Sequence, residues 1–198
     1  AFISEGYRLL KVDTLDNRPI SDEILEKLIE MVEQTSADSV VFSDFRHGIF
    51  NRISVPSLTQ AIPKGIFKVA DSQVASRWGN ITEFKGFDLI TPNEREARFA
   101  LGDQDSTMGR LSSMLKESSS FQNLILKLGD RGIFCVDKDA EAKNSHFSID
   151  SFATNVVDAV GAGDALLAYA TLTMLATGSL VTSGIIGSMA SALRTKPK

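Results

Sequence analysis

The sequence is poor in the residues that form disulfide bonds and zinc sites. Among its 198 residues it has one cysteine, Cys135, and two histidines, His47 and His146. One cysteine cannot form an internal disulfide bond, which fits a reducing compartment. Cys135 lies in an apolar run, so we expect it to be a buried small hydrophobe. The histidines are far apart, with no cysteine or acid at metal-ligand spacing, which argues against a zinc site.

The sequence also lacks a long hydrophobic run and an excess of positive charge. Its longest apolar stretch, residues 165–175, is interrupted by Tyr169, Thr171 and Thr173 and is too short to span a bilayer. No signal peptide is recognisable. The net charge of -4 gives no basic face for nucleic acid. We therefore expect a cytoplasmic protein that binds neither nucleic acid nor membrane.

Length and the first residue set expectations for domain organisation. A chain of 198 residues can form one well-buried domain, alone or with a small appendage. The chain does not begin with methionine and opens inside a predicted strand, so we expect a fragment or processed piece of a longer protein.

Hydrophobic periodicity predicts alternating strands and helices. Such alternation is typical of an α/β fold with a mostly parallel sheet and helices on both faces. A turn at 129–132 between two strands predicts a hairpin, which adds antiparallel character late in the chain. The predicted strands are 7–13, 39–43, 66–70, 87–90, 123–128, 133–136, 145–149 and 155–157, and the predicted helices are 22–34, 57–62, 94–101, 108–116, 161–177 and 179–193.

Polar residues and a glycine fall where these strands are predicted to end. In open α/β sheets, ligands bind at the carboxyl ends of the strands, so this shared placement indicates a binding site. The residues are Asp44, Asp71, Asn93, Gly129 and Asp158.

The segment most indicative of chemistry is 158–164, Asp-Ala-Val-Gly-Ala-Gly-Asp, which opens a long helix. Glycines at a helix start leave backbone N–H groups accessible, and with the helix dipole they form an anion site. Asp164 lies beside that site and can accept a proton from an attacking hydroxyl while the N–H groups hold a phosphoryl group. Taken alone, Asp164 can equally be an ordinary acid at a helix start.

This segment, followed by a small-residue apolar helix, resembles the second signature of the PfkB, or ribokinase-like, carbohydrate kinases. The resemblance implies that Asp164 is the catalytic base. It implies that the backbone of the glycine turn is the anion hole, formed by Gly161, Ala162 and Gly163. It also implies that Asp158 and Val160 border a monovalent-cation (K⁺) site. Family members usually have Thr or Ser where this chain has Ala159, a mild departure because the anion hole uses backbone groups.

Two further segments resemble the family in order and spacing. Residues 93–96 resemble its Asn-x-x-Glu motif, which implies that Asn93 and Glu96 position Mg²⁺ through water; the same pair also fits a helix capping box. Residues 126–132 resemble its nucleotide loop, which implies roles in ATP binding for Lys127, Gly129, Asp130 and Gly132, although a plain hairpin turn is the alternative. A helix over 184–192 would line the adenine pocket.

Residues 43–48, Ser-Asp-Phe-Arg-His-Gly, resemble the Ser-Asp-Tyr-x-x-Gly segment of the heptose-7-phosphate kinase subgroup. This resemblance implies that Asp44 contacts the substrate. Arg46 and His47 stand where that subgroup often has Gly and Lys. The resemblance as a whole implies that 1–198 is the C-terminal two-thirds of one ribokinase-like domain, with 1–13 a remnant of a β lid and 20–198 the core. Pairing between such lids would form a homodimer.

The function implied is ATP-dependent phosphorylation of a hydroxyl on a sugar or sugar phosphate. Because the first third of the family domain, with its main sugar-binding acid, is not recognisable, the fragment alone is expected to bind sugar poorly and turn over slowly or not at all. The alternative is a non-catalytic regulatory protein that binds nucleotide or sugar on the same fold. A dehydrogenase fits poorly because Leu166 stands where a third glycine is needed, and no Walker motif is present.

Overall fold

The computed structural model describes residues 2–4, 7–10, 12, 18–45, 47–73, 81–137, 146–153 and 159–195. Within these residues, six strands form one sheet in which each strand pairs with the next along the chain. The first four strands of this sheet are parallel, and the last two are antiparallel to their neighbours. The six strands are β3 (Ser39–Asp44), β4 (Phe67–Ser72), β5 (Leu89–Ile90), β6 (Asn123–Lys127), β7 (Ile133–Val136) and β8 (His146–Ile149).

A separate antiparallel pair of strands precedes this sheet. It consists of β1 (Phe2–Ser4) and β2 (Tyr7–Leu10), and its register is irregular between Phe2 and Ile3. The predicted lid strand 7–13 is therefore confirmed over its first four residues, and most of its remainder lies outside the described residues. The dimer through this lid stays a prediction.

Helices cover both faces of the sheet, as the periodicity predicted. The described residues form α1 (Asp22–Glu33), α2 (Ser54–Ala61), α3 (Glu94–Leu101), α4 (Met108–Ser119), α5 (Ala162–Thr177) and α6 (Leu180–Arg194). None of them is long and apolar enough to cross a membrane.

Successive residues of the central strands point to opposite faces and form two separate cores. On β4, Ala70 packs into a core that includes residues of α1 to α4, whereas Val69 packs into the core beneath α5 and α6. On β6, Leu124 and Leu126 face the first core and Ile125 faces the second. All of these strand residues are fully buried. Strands buried on both faces fit a sheet covered by two layers of helices.

The buried role predicted for Cys135 is confirmed. The residue lies on β7 with no exposed surface and packs in the second core. Burial raises the pKa of its thiol to about 12, so it stays protonated at physiological pH and is chemically quiet.

The start of α2 was predicted wrongly. The predicted helix began at residue 57, after Pro56, but the observed helix begins at Ser54. The Asn51 side-chain oxygen accepts hydrogen bonds from the N–H groups of Ile53 and Ser54, which starts the helix earlier. Pro56 fits in the first turn because a residue there needs no intrahelical N–H donor. The predicted strand 155–157 lies outside the described residues.

The turn between β6 and β7 provides a test of the fold. Gly132 has φ +85° and ψ -129°, and a Cβ atom there would lie 2.0 Å from the carbonyl oxygen of Ile149. We expect Gly132→Ala to lower the free energy of unfolding by about 3 kcal/mol or more, because both backbone strain and a clash oppose it. Denaturant unfolding monitored by circular dichroism measures this change.

Gly102→Ala is the matched control. Gly102 also has positive φ, +64°, but a Cβ atom there would meet nothing within 4 Å. Only backbone strain opposes this substitution, so we expect it to lower the free energy of unfolding by about 1 kcal/mol. Equal losses in the two variants would contradict the close approach at Gly132.

Candidate active site

A cavity of about 1000 Å³ lies where the carboxyl ends of the strands meet the start of α5. It is lined by all but one of the described residues that the sequence predicted for the site. These lining residues are Asn93, Glu96, Lys127, Gly129, Asp130, Gly132, Val160, Gly161, Ala162, Gly163 and Asp164. A second cavity, of about 810 Å³, lies at the amino ends of the strands beside Phe67 and Asn123 and contains none of them. The site residues predicted from the sequence are therefore gathered at the carboxyl edge of the sheet.

The glycine turn begins α5 inside this cavity. Gly161 adopts the left-handed conformation, with φ 81° and ψ 0°, and its carbonyl accepts from the N–H of Ala165. The N–H of Ala162 donates to the carbonyl of Ala159 at 3.1 Å. Because Ala162 is engaged in this way, the N–H groups of Gly163 and Asp164 are the better placed donors for an anion at this helix end.

Asp164 lies in the first turn of α5 and is exposed to the cavity. Its Oδ1 atom accepts a hydrogen bond of 3.3 Å from the side-chain amide of Gln73. Gln73 follows directly after β4, so the carboxylate is contacted by a residue of the sheet edge. An accessible, oriented carboxylate at a helix N-terminus is suited to accept a proton from a bound hydroxyl.

A buried ion pair lies under the glycine turn. The ammonium of Lys127 is 2.9 Å and 3.0 Å from the two carboxylate oxygens of Asp71. The Asp71 side chain is 1% exposed and that of Lys127 is 16% exposed, on the cavity side. A Cβ atom on Gly163 would lie 3.4 Å from the Lys127 ammonium. The cation thus directly underlies the predicted anion hole.

Burial raises the pKa of the Asp71 carboxyl above its ordinary value, and the neighbouring Lys127 charge opposes that rise. A lysine contact of this length favours the ionised carboxylate, which partly offsets the cost of burying it. Asp71 is the only group of the pair that is fully removed from solvent. Its position therefore depends on the lysine.

Asn93 and Glu96 form the capping box that their spacing predicted. The Asn93 N–H donates to Glu96 Oε2 at 2.7 Å, and the Glu96 N–H donates to Asn93 Oδ1 at 2.8 Å. Asn93 also pairs with Lys127 in an isolated parallel bridge, which holds the start of α3 against the end of β6. Both residues also line the cavity, so the same pair can cap α3 and face a ligand.

Glu96 is an unusual acid for a helix start because only 6% of it is exposed. Burial is the largest influence and raises the pKa of its carboxyl to about 7, while Lys127 and the Asn93 N–H oppose that rise and Asp71 adds to it. Near neutral pH this group therefore exchanges between a carboxylic acid and a carboxylate. Only the carboxylate is a good oxygen ligand for Mg²⁺.

The loop between β6 and β7 forms another side of the cavity. Gly129 has φ +67°, and a Cβ atom there would meet nothing within 4 Å, whereas Gly132 is packed against the backbone after β8. The segment is a short 3₁₀ turn, Gly129–Arg131, within the predicted hairpin. On the neighbouring wall, α6 contributes Ser188 and Ala192. Nucleotide binding by this loop and by α6 stays a prediction.

One described site residue of the prediction, Asp44, is not on the cavity wall, and another predicted residue is not described. Asp44 ends β3 with no exposed surface, and the next residue, Phe45, lines the cavity instead. Asp158 lies outside the described residues, so of the predicted cation pair only Val160, 52% exposed, is placed at the cavity. A substrate role for Asp44 and the K⁺ site stay predictions.

Several residues that the structure brings to this site have no role predicted from the sequence. In the sequence, Asp71 stands only at a predicted strand end, Phe45 only within the 43–48 segment, and Gln73 in no predicted motif. Arg194, at the end of α6, lies beside Gly161, where a Cβ atom would be 3.2 Å from its Nε. Position after a strand is the only signal for Asp71 and Gln73.

A mostly parallel sheet covered by helices, with a cavity that contains a glycine turn, an acid and a lysine at its carboxyl edge, defines an α/β protein. The model of the family described as pfkB family carbohydrate kinase matches residues 55–197. The chain therefore belongs to the pfkB family of carbohydrate kinases.

Individual relatives agree with this assignment. The chain is 25% identical over 198 residues to the bifunctional protein HldE of Desulfatibacillum aliphaticivorans, covering 96% of the chain and 39% of that relative. The chain is thus similar to less than half of the length of this curated relative.

Solved structures show the same fold. Phosphofructokinase-2 from Escherichia coli, in complex with potassium, has a TM-score of 0.75 at 18% identity and is covered over 58% of its length by 91% of this chain. The ribokinase of Arabidopsis thaliana, complexed with ribose and ATP, has a TM-score of 0.64 at 22% identity, with 55% of it covered by 91% of this chain. The ribokinase-like fold predicted from the sequence is confirmed.

The burial of Glu96 predicts a pH dependence of stability. Its pKa is raised from 4.5 to about 7 in the folded chain, so as pH rises through this interval the folded state retains a proton that the unfolded state has lost. The stabilisation that this proton provides is complete below 4.5 and is lost above about 7. Between pH 5 and pH 8, the free energy of unfolding should therefore fall by up to about 3 kcal/mol more in the native protein than in Glu96→Gln.

Urea unfolding at both pH values measures this difference. Glutamine keeps an oxygen that can accept the Asn93 N–H, so the capping box is preserved. Glu117→Gln, on the exposed side of α4, is the control and should follow the native pH dependence. If Glu96→Gln also follows it, the buried acid does not titrate as described.

The Lys127–Asp71 pair predicts a double-mutant cycle. Lys127→Met should cost about 3–5 kcal/mol of stability near pH 7, because it leaves a buried carboxylate without its cation. Adding Asp71→Asn should recover a large part of that loss, since the remaining group is neutral. Chemical denaturation of the native chain, both single variants and the double variant measures the coupling. Additive losses would contradict a direct pair.

Proposed function

We propose that this chain forms the nucleotide- and phosphoryl-handling part of a kinase that transfers phosphate from ATP to a hydroxyl of a sugar or sugar phosphate. One observation carries the proposal. The accessible Asp164 carboxylate and the Lys127 ammonium flank the same glycine turn at the start of a long helix. A base and an anion site side by side are what transfer of a phosphoryl group to an alcohol requires.

Each residue would act at a stated atom. Asp164 accepts the proton of the acceptor hydroxyl through its carboxylate. The N–H groups of Gly163 and Asp164 and the Lys127 ammonium stabilise the negative charge that spreads over the phosphoryl oxygens. Because Lys127 is held by Asp71, its cation is in place before the substrate arrives, so little reorganisation is needed during transfer.

The residues at this edge fit Mg²⁺. Oxygen donors are present on Glu96 and Asn93, which both line the cavity, and Mg²⁺ prefers such ligands while keeping several waters. The described residues contain no group of three or more His, Cys, Asp or Glu side chains arranged to enclose a metal, which fits an ion held largely by phosphate and water. When bound, Mg²⁺ would neutralise charge on the phosphates.

The nucleotide would lie along the wall formed by the 129–132 loop and α6. Glycine at 129 leaves room for close approach, and the small side chains Ser188 and Ala192 leave space for a flat base. Structures of the same fold were solved with ribose and ATP and with fructose-6-phosphate, which supports the acceptor class. A monovalent cation near Val160 is proposed on the same grounds, since one such structure contains potassium.

Asp164→Asn tests the proposal. The amide preserves shape but cannot act as a base, so we expect the turnover rate to fall by a factor of at least about 100 while ATP binding persists. Coupled ADP release with a panel of sugars and sugar phosphates measures turnover, and calorimetry measures nucleotide binding. Both are performed on this chain and on any longer protein that its gene encodes.

Asp105→Asn, on the exposed loop before α4, is the matched control and should leave turnover unchanged. Equal ADP release by the native protein and Asp164→Asn would exclude this base. Nucleotide binding without ADP release for any acceptor in the longer protein would instead favour a regulatory protein on the same fold.

A further inference from the structure

Gln73 and Asp164 meet at the acceptor end of the cavity although they are 91 residues apart in the chain. Gln73 follows the last residue of β4, and Asp164 lies in the first turn of α5. The Gln73 Nε2 atom donates to Asp164 Oδ1 at 3.3 Å, and both residues line the cavity. The end of β4 and the start of α5 therefore meet at the proposed base.

The backbone of Gln73 is fixed by the sheet. Its N–H donates to the carbonyl of Asp44 at 3.0 Å, which extends the parallel register in which Asp44 pairs with Ser72. Asp44 and Ser72 are both buried. The amide of Gln73 therefore extends from a rigid edge toward a carboxylate that is itself exposed.

An exposed aspartate has a broad torsion about its last bond, so its two oxygens exchange places freely. A general base is efficient only when one oxygen is directed at the proton that it takes. A donor that engages one oxygen limits this rotation and leaves the other oxygen available.

We propose that Gln73 is a positioning residue that holds Oδ1 of Asp164 so that Oδ2 accepts the proton of the acceptor hydroxyl. This inference rests on the proposed function, because it gives Gln73 a role only through Asp164.

The neutrality of glutamine suits this role. Among the described residues, the charged groups near this corner include Asp71 and Lys127, which pair beneath the glycine turn, Arg194 beside Gly161, and Glu96 on the cavity wall. A cation in place of Gln73 would bind the carboxylate more strongly and weaken it as a base. An acid there would repel it. An uncharged N–H donor orients the carboxylate without either effect.

Gln73→Leu tests the inference by removing the donor while keeping similar bulk. We expect kcat to fall about tenfold, with the KM values for ATP and for the acceptor changed less than about twofold, because only the step that uses the base is affected. Gln122→Leu, at the opposite edge of the sheet, is the matched control and should leave all three constants unchanged. A higher acceptor KM with unchanged kcat would overturn the positioning role and make Gln73 a substrate contact.

The pH profile of Gln73→Glu separates a positioning role from a purely structural one. The introduced carboxylate opposes a second negative charge beside it, so the acidic limb of the kcat/KM profile should move to higher pH. In Gln73→Leu and Gln73→Glu the unfolding free energy should change little, since the side chain is exposed. An unmoved acidic limb in Gln73→Glu would count against the contact.

A measurement without turnover separates this inference from the proposed function. In protein labelled with ¹³C at the aspartate carboxyl carbons, the resonance lost in Asp164→Asn identifies Asp164. We expect that resonance to shift in Gln73→Leu and to stay in place in Gln122→Leu. An unshifted resonance would refute the contact even if no acceptor supports catalysis. Loss of activity in Asp164→Asn with native kcat in Gln73→Leu would refute the inference and leave the proposed function intact.

Discussion

The ion pair between Lys127 and Asp71 is the interaction on which the site depends. It joins the ends of β4 and β6, which are not neighbours in the sheet, across the end of β5. Its cation lies against Gly163 and acts on the charge of Glu96, so the anion site and the proposed metal-binding acid share one source of positive charge. Replacing this lysine with a neutral side chain would therefore affect the contact between the strand ends, the proposed anion site and the charge of Glu96.

Backbone pairing also positions residues at this edge of the sheet. Asn93 is held to Lys127 by the bridge after β5, and Gln73 is held to Asp44 by the extension of β4. Backbone pairing thus sets the position of each functional side chain to within the precision of a sheet. Rigid elements position functional groups more accurately than loops do.

Much of this could be predicted from the sequence, because the signals were local. Alternating apolar runs predicted the strands, and the Asn93–Glu96 spacing predicted both a capping box and a site residue. The glycine turn before Asp164 marked the helix start. The rest could not be predicted, because it depends on contacts between distant segments. Nothing near Gln73 or Asp71 in the chain indicates that one meets Asp164 and the other Lys127. The early start of α2 accompanies two hydrogen bonds that the Asn51 side-chain oxygen accepts.

The order of the strands has a consequence for biosynthesis. Because each strand of the main sheet pairs with the one that follows it, its contacts form between segments that leave the ribosome in succession. The helix that carries Asp164 comes after all of these strands. A nascent chain would therefore contain the strand ends of the cavity before it contains Asp164, the proposed base, and the cavity would be completed only near the end of translation of this region.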